Sequence, residues 1–126
     1  MAIERVRYES HFDSSVNADR SIITLLKGSS ADFSCGLVRA VRVEKEATLG
    51  NHWRDYDELL GLIGYAKVTL MDIDSGEKKE YQMITGSRLF IPARVALRID
   101  ASAGSVILSC APEVDREKQT HSYVIN

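Results

Sequence analysis

Short apolar or alternating runs recur along this chain at roughly ten-residue intervals, and that rhythm leaves few folds open. The runs are "SIITLL" (21–26), "LVRAVRV" (37–43), "ELLGLIGY" (58–65), "KVTLMDI" (67–73), "KEYQM" (79–83), "RLFI" (88–91), "VALRI" (95–99) and "SVILSC" (105–110). They are rich in β-branched residues and bounded by turn formers, which is the pattern of strands. "DSG" at 74–76 separates two of them and signals a hairpin. Gly61 and Gly64 stand against a helix over 55–63, since each costs about 1 kcal/mol there. Eight or so short strands in 126 residues mean an all-β domain, either a sandwich or a closed barrel.

The rest of the composition excludes more than it selects. A single domain of this length can bury a real core, and 44% hydrophobic with 27% charged residues is ordinary for a globular chain. A net charge of −2 leaves no basic footprint for nucleic acid. No apolar run reaches the length of a membrane span, and "MAIERVRYES" carries no apolar signal core, so a cytoplasmic protein is expected. Cys35 and Cys110 lack metal-type spacing and read as buried free thiols, because unpaired cysteine behaves as a small hydrophobe.

Two stretches carry the chemistry. "TLGNHWRDYDELLGLIGY" (48–65) sets a histidine, an arginine and three acidic residues against an apolar run. "GSRLFIPARVALR" (86–98) places Pro92 between two strands, where a residue without an N–H is tolerated only at an edge. Together they resemble the two sequence boxes of the cupin family, which are jelly-roll barrels (double-stranded β-helices). The family's first box reads His-x-His, three or four residues, Glu, six residues, Gly; here it runs His52-Trp53-Arg54, Asp57, Gly64. The second reads Gly, five residues, Pro-x-Gly, two residues, His; here it runs Gly86, Pro92-Ala93-Arg94, Leu97. "LGNHW" looks like the corresponding segment of cupins in capsular-polysaccharide biosynthesis. The tail "SVILSCAPEVDREKQTHSY" is similar to that of sugar-nucleotide ketoisomerases, epimerases and WxcM-like proteins. The resemblance spans roughly residues 35–125. It divides the single domain into N-terminal strands (1–34), a barrel core (35–110) and a tail (111–126).

The resemblance implies a site, and the departures from it decide the chemistry. Metal-binding cupins hold their ion with three histidines and a glutamate. Here only His52 survives of the histidines; Arg54 is a permanent cation, Leu97 is apolar, and the carboxylate falls to Asp57 with Glu58 as its rival. Two ligands are too few for a zinc-type site, so no metal and no other cofactor is expected. Residues two apart share a strand face, so His52 and Arg54 look into the barrel mouth together. Counting back from Gly64 puts Asp57, Leu59, Gly61 and Ile63 on the inward face, and Leu60 and Leu62 outside.

The expected pocket joins a histidine, an arginine and a carboxylate over an apolar wall. In an isomerase or epimerase acting on a nucleotide-linked 4-keto sugar, His52 would move the proton beside the ketone, being a base near neutral pH. Arg54 would steady the developing oxyanion, and Asp57 or Glu58 would orient the imidazole. Arg39, Arg42, Glu58 and Arg94 are the candidate substrate-binding residues; Arg39 and Arg42 point to opposite faces of one strand, and a guanidinium suits a phosphate. Each of these arginines also reads as an ordinary solvated side chain. The alternative function is a binding module for an anionic metabolite or a partner enzyme. Trp53 is expected on the outer face, His11 and His121 on the surface. Leu60 and Leu62 fall on the face opposite Leu59 and Ile63 and so predict a homodimer; the resemblance implies pairing through such outer faces and exchanged N-terminal strands, with "SIITLL" as such a strand.

Overall fold

A computed structural model of the chain describes residues 2–10, 15–17, 19–24, 35–112 and 116–126. A 3₁₀ turn (Ala2–Arg5) opens it. Among the described residues twelve strands follow: β1 (Arg7–Glu9), β2 (Ser15–Val16), β3 (Ser21–Ile22), β4 (Leu37–Arg42), β5 (Ala47–Arg54), β6 (Glu58–Ile63), β7 (Tyr65–Asp72), β8 (Lys78–Ile84), β9 (Arg88–Ile91), β10 (Val95–Ala101), β11 (Val106–Ala111) and β12 (Thr120–Ser122). A single helical turn, α1 (Arg116–Gln119), precedes the last of them. His11 and Leu25–Leu26 of the expected strand 21–26 lie outside the described residues.

All pairings among the described residues are antiparallel. One five-stranded sheet has the order β1-β9-β6-β11-β4 and the other β12-β5-β10-β7-β8; β2 and β3 form a separate hairpin. The non-sequential order marks a jelly roll, a double sheet whose inner faces share one core. Leu60, Leu62, Leu89 and Ile107 from the first sheet meet Val68, Leu70, Leu97 and Ile99 from the second. The cupin-type fold inferred from the two boxes is therefore the fold observed. Tight turns fall at glycines with positive φ: Gly64 (112°) joins β6 to β7, and Gly76 (77°) of the "DSG" turn joins β7 to β8.

Two sequence-based expectations change. Leu60 and Leu62 are core residues, 3% and 1% exposed, while Leu59 and Ile63 face outward. The inward face begins at Glu58, the first residue of β6, because Asp57 belongs to the preceding turn. Cys35 and Cys110 are not free thiols; they are joined in a disulfide, with Cα atoms 5.8 Å apart. Cys110 follows the outward parity of Leu108, so the bond lies on the outside of the first sheet, tying the approach to β4 onto β11.

Candidate functional site

The first box is strand β5, and a bulge aims its side chains. Leu97 pairs with His52, yet the next residue, Arg98, pairs with Gly50, so β5 carries one residue more than β10. Without that extra residue Leu49 and His52 would face opposite ways. The bulge lets Leu49 pack on the core and still turns His52 and Arg54 inward. Gly50 (φ 88°) and Asn51 (φ 57°) hold the required left-handed backbone. A Cβ on Gly50 would lie 2.6 Å from the Leu97 carbonyl oxygen, so only glycine fits.

The two boxes meet at this end of the barrel. The Arg94 N–H donates to the Arg54 carbonyl at 3.0 Å, and the Ala93 N–H donates to Asp57 Oδ1 at 2.9 Å. Arg94 (φ 67°) occupies a turn position whose backbone favours glycine, the residue the cupin pattern has there.

Between the sheets lies a cavity of about 150 Å³. Val41, Leu60, Leu97, Ile99 and Ile107 form its apolar wall; Arg39, His52, Arg54, Glu58 and Ser109 supply the polar groups. Arg54 Nη1 donates to Glu58 Oε2 at 2.5 Å, with side chains only 15% and 5% exposed, and the guanidinium lies 5.8 Å over the Tyr56 ring. His52 Nε2 is buried. Ser109 Oγ is also buried and has no hydrogen-bond partner among the described residues, a polar group waiting in a cavity wall.

Of the seven expected site residues, Arg39, His52, Arg54 and Glu58 line this cavity. The other three face elsewhere. Asp57 is spent on the Ala93 N–H and on Arg5, 3.4 Å away, so the carboxylate of the site is Glu58. Glu58 in turn grips Arg54 rather than standing as an independent group. Arg42 takes the outward parity of β4 and approaches Glu44 at 3.6 Å on the surface. Arg94 forms a two-pronged pair with Asp74 and lies 5.3 Å over Trp53. The hydrogen bond from Arg94 holds the Asp74 carboxyl below its ordinary range. Trp53 is on the outer face, as parity required, and His121 stacks on it at 4.1 Å while binding Asp55 at 2.8 Å.

Ser109 and Thr120 were missed. Ser109 sits inside an apolar run, where nothing marks a hydroxyl as functional, and Thr120 reaches Arg54 across 66 positions of sequence.

The four cupin ligand positions do converge on one cavity, as His52, Arg54, Glu58 and Leu97. The donor set does not fit a metal: a guanidinium occupies one place and engages the carboxylate of Glu58, and a leucine occupies another. Among the described residues no cluster of three His, Cys, Asp or Glu side chains is placed to hold an ion. No helix among them is long and apolar enough to cross a membrane.

Fold and site thus define a cupin-type jelly roll in which the positions matching the cupin ligand pattern do not suit a metal. No family model and no curated protein matches the sequence. Solved structures do. The dTDP-4-dehydrorhamnose 3,5-epimerase of Bacillus anthracis, with TDP and PPi bound, superposes with a TM-score of 0.82 at 8% identity, covering 100% of this chain and 82% of its own. A dTDP sugar isomerase from Desulfovibrio desulfuricans gives 0.80 at 16% identity, with 96% and 85% covered. QdtA, a sugar 3,4-ketoisomerase from Thermoanaerobacterium thermosaccharolyticum in complex with TDP, gives 0.70 at 23% identity, with 91% and 85% covered. At these identities the likeness is one of fold.

Proposed function

We propose that this protein is a metal-independent sugar-nucleotide isomerase or epimerase of cell-surface polysaccharide biosynthesis, acting on a nucleotide-linked 4-keto sugar. The observation that carries this reading is a half-buried histidine, its Nε2 enclosed, beside an arginine–carboxylate pair in the cavity between the sheets. Solved proteins of this fold bind TDP and TDP-linked keto sugars. A cavity of about 150 Å³ is small beside the roughly 300–1,000 Å³ of drug-sized sites, so it suits the sugar, with the nucleotide at the mouth near Arg39.

In this reading His52 takes the proton from the carbon beside the ketone. The electron pair moves onto the carbonyl oxygen, and Arg54 stabilises that charge while Glu58 fixes the guanidinium. Returning the proton to the former carbonyl carbon, while the neighbouring hydroxyl's proton passes to the enolate oxygen, moves the ketone by one carbon; returning it to the original carbon from the other face, with the carbonyl re-formed, epimerises it. Arg39 and the Ser109 hydroxyl serve binding.

The test is incubation with TDP-4-keto-6-deoxyglucose and related keto sugars in D₂O, followed by NMR. Deuterium should enter beside the ketone with the native protein and not with His52→Asn. Exchange that persists in His52→Asn removes the catalytic assignment, and TDP binding without exchange by the native protein supports a binding module instead.

Two further parts belong to this reading. The protein acts as a homodimer: Val38 is 70% exposed on β4, whose outer edge is unpaired among the described residues, and Val16 and Ile22 of the separate hairpin are each 52% exposed. Light scattering should give twice the 14.0 kDa chain mass at micromolar concentration; a value at the chain mass removes the dimer. Its place in this reading is the cytoplasm, and cell fractionation should recover it with cytosolic markers; recovery from an oxidising compartment, where a Cys35–Cys110 bridge persists, removes that placement.

A further inference from the structure

Arg54 is held from two directions. Glu58 binds Nη1 at 2.5 Å, and the Thr120 hydroxyl accepts from Nε at 3.3 Å. A guanidinium is a planar fork, so fixing Nε and Nη1 together sets the plane of the whole group. Neither bond uses Nη2. Thr120 reaches Arg54 because β12 adds itself to the edge of the second sheet with Thr120 opposite Arg54 and Ser122 opposite His52. Directly opposed residues in an antiparallel pair project on the same face, so Thr120 is on the cavity side and His121 on the other.

The rest of the tail is built to hold that register. The Asp55 N–H donates to the Gln119 carbonyl at 3.1 Å, just before β12. His121 stacks on Trp53 and binds Asp55. Beyond β12 the Tyr123 N–H donates to the Asn51 carbonyl at 2.9 Å, and the Ile125 N–H to Asn51 Oδ1 at 3.0 Å. Arg98 Nη1 binds the Ile125 carbonyl at 2.8 Å, and the Ile125 side chain is 1% exposed. Asn51 is the bulge residue that aims His52, so one short segment secures the backbone beneath both His52 and Arg54.

We propose that Thr120 is a positioning residue: β12 delivers its hydroxyl to Arg54 Nε and so orients the guanidinium that faces the ligand. This rests on the reading of Arg54 as the group that meets the reacting oxygen, and the experiment separates the two. Thr120→Val keeps the β-branched shape and removes the acceptor; Thr120→Ser keeps the acceptor. In protein labelled with ¹⁵N-arginine, the Arg54 Nε–H signal should exchange with solvent several-fold faster in Thr120→Val than in the native protein, and Thr120→Ser should restore the native rate. With TDP-4-keto-6-deoxyglucose, Thr120→Val should lower kcat by about three- to ten-fold, the effect of one hydrogen bond, with KM changed less than two-fold. Equal Nε–H protection in Val and Ser variants overturns the proposal, as does a Val variant whose kcat matches the native value. A native protein that turns over no keto sugar removes the functional reading alone, since Nε–H exchange still decides the role of Thr120. Should Thr120→Val not fold, Thr120→Ala carries the same two readouts.

Discussion

At the scale of single residues, the cavity turns on the pairing of Arg54 with Glu58, whose side chains are only 15% and 5% exposed. His52 and Arg54 were legible in the sequence because both stand in a box with recognisable spacing. Glu58 was displaced by Asp57 because the count ran through a turn, and a one-residue slip exchanges the faces of a strand. Two substitutions test the observed arrangement. Arg54→Ala leaves a carboxylate that is 5% exposed without its cation, and should cost about 3–5 kcal/mol in urea unfolding. Adding Glu58→Ala should recover most of that loss; a double variant as unstable as the single one contradicts the pairing. Gly50→Ala meets both a backbone clash at 2.6 Å and a φ of 88°. A loss of about 1–3 kcal/mol is expected, and a variant of native stability would deny the bulge. Arg54 also governs metal content: with the guanidinium in a ligand position, dialysed protein should contain far less than one zinc, iron or nickel per chain by elemental analysis.

At the scale of elements, strands with clear alternation were readable from the sequence and short edge pieces were not. β9 falls on the expected residues 88–91, whereas β1, β2 and β12 have only two or three residues each and show no periodicity. The 3₁₀ turn (Ala2–Arg5) illustrates why such pieces depend on tertiary contacts. Its Ile3 is fully buried, and the Ile3 N–H donates to Asp72 Oδ2 at 3.1 Å. Asp72 Oδ1 accepts from the N–H groups of Asp74 and Ser75 at 2.9 and 3.1 Å, closing the β7–β8 turn. Burial pushes the Asp72 carboxyl up, but the N–H bonds from Ile3, Asp74 and Ser75 prevail and hold it below the ordinary 3.8. A carboxyl lowered in the folded state stabilises fully above its unfolded value and loses that contribution as pH falls through the folded one. Urea stability should therefore decline below about pH 4. Asp72→Asn should be weaker by about 1.5–3 kcal/mol at pH 7, with a shallower acid decline. Parallel acid limbs for the two proteins would remove Asp72 from the account.

At the scale of the whole molecule, the jelly roll followed from strand rhythm, while which strands become neighbours did not. Antiparallel partners such as β4 and β11 lie far apart in sequence, and no local pattern records that Val38 sits opposite Cys110. The disulfide is the sharpest consequence. Spacing alone gave Cys35 and Cys110 no reason to meet, yet the β4–β11 pairing brings their Cα atoms to 5.8 Å, within the usual range for a bridge. The bond closes a loop over a sequence separation of 75, which contains β4 through β10 and most of the cavity wall. Closing so long a loop restricts the unfolded chain far more than the folded one, in which the two strands already lie side by side. A stabilisation of about 2–4 kcal/mol is expected, and it should be lost on reduction. Urea unfolding of the oxidised protein, with and without a phosphine reductant, measures it directly. Cys35→Ala in the absence of reductant should match the reduced native protein, because Cys35 is only partly buried and its removal leaves no core void. Removing Cys110, 2% exposed, would add a packing loss of its own. Coincident oxidised and reduced curves, or two titratable thiols in the native oxidised protein, would show that the barrel holds its strands without the bridge.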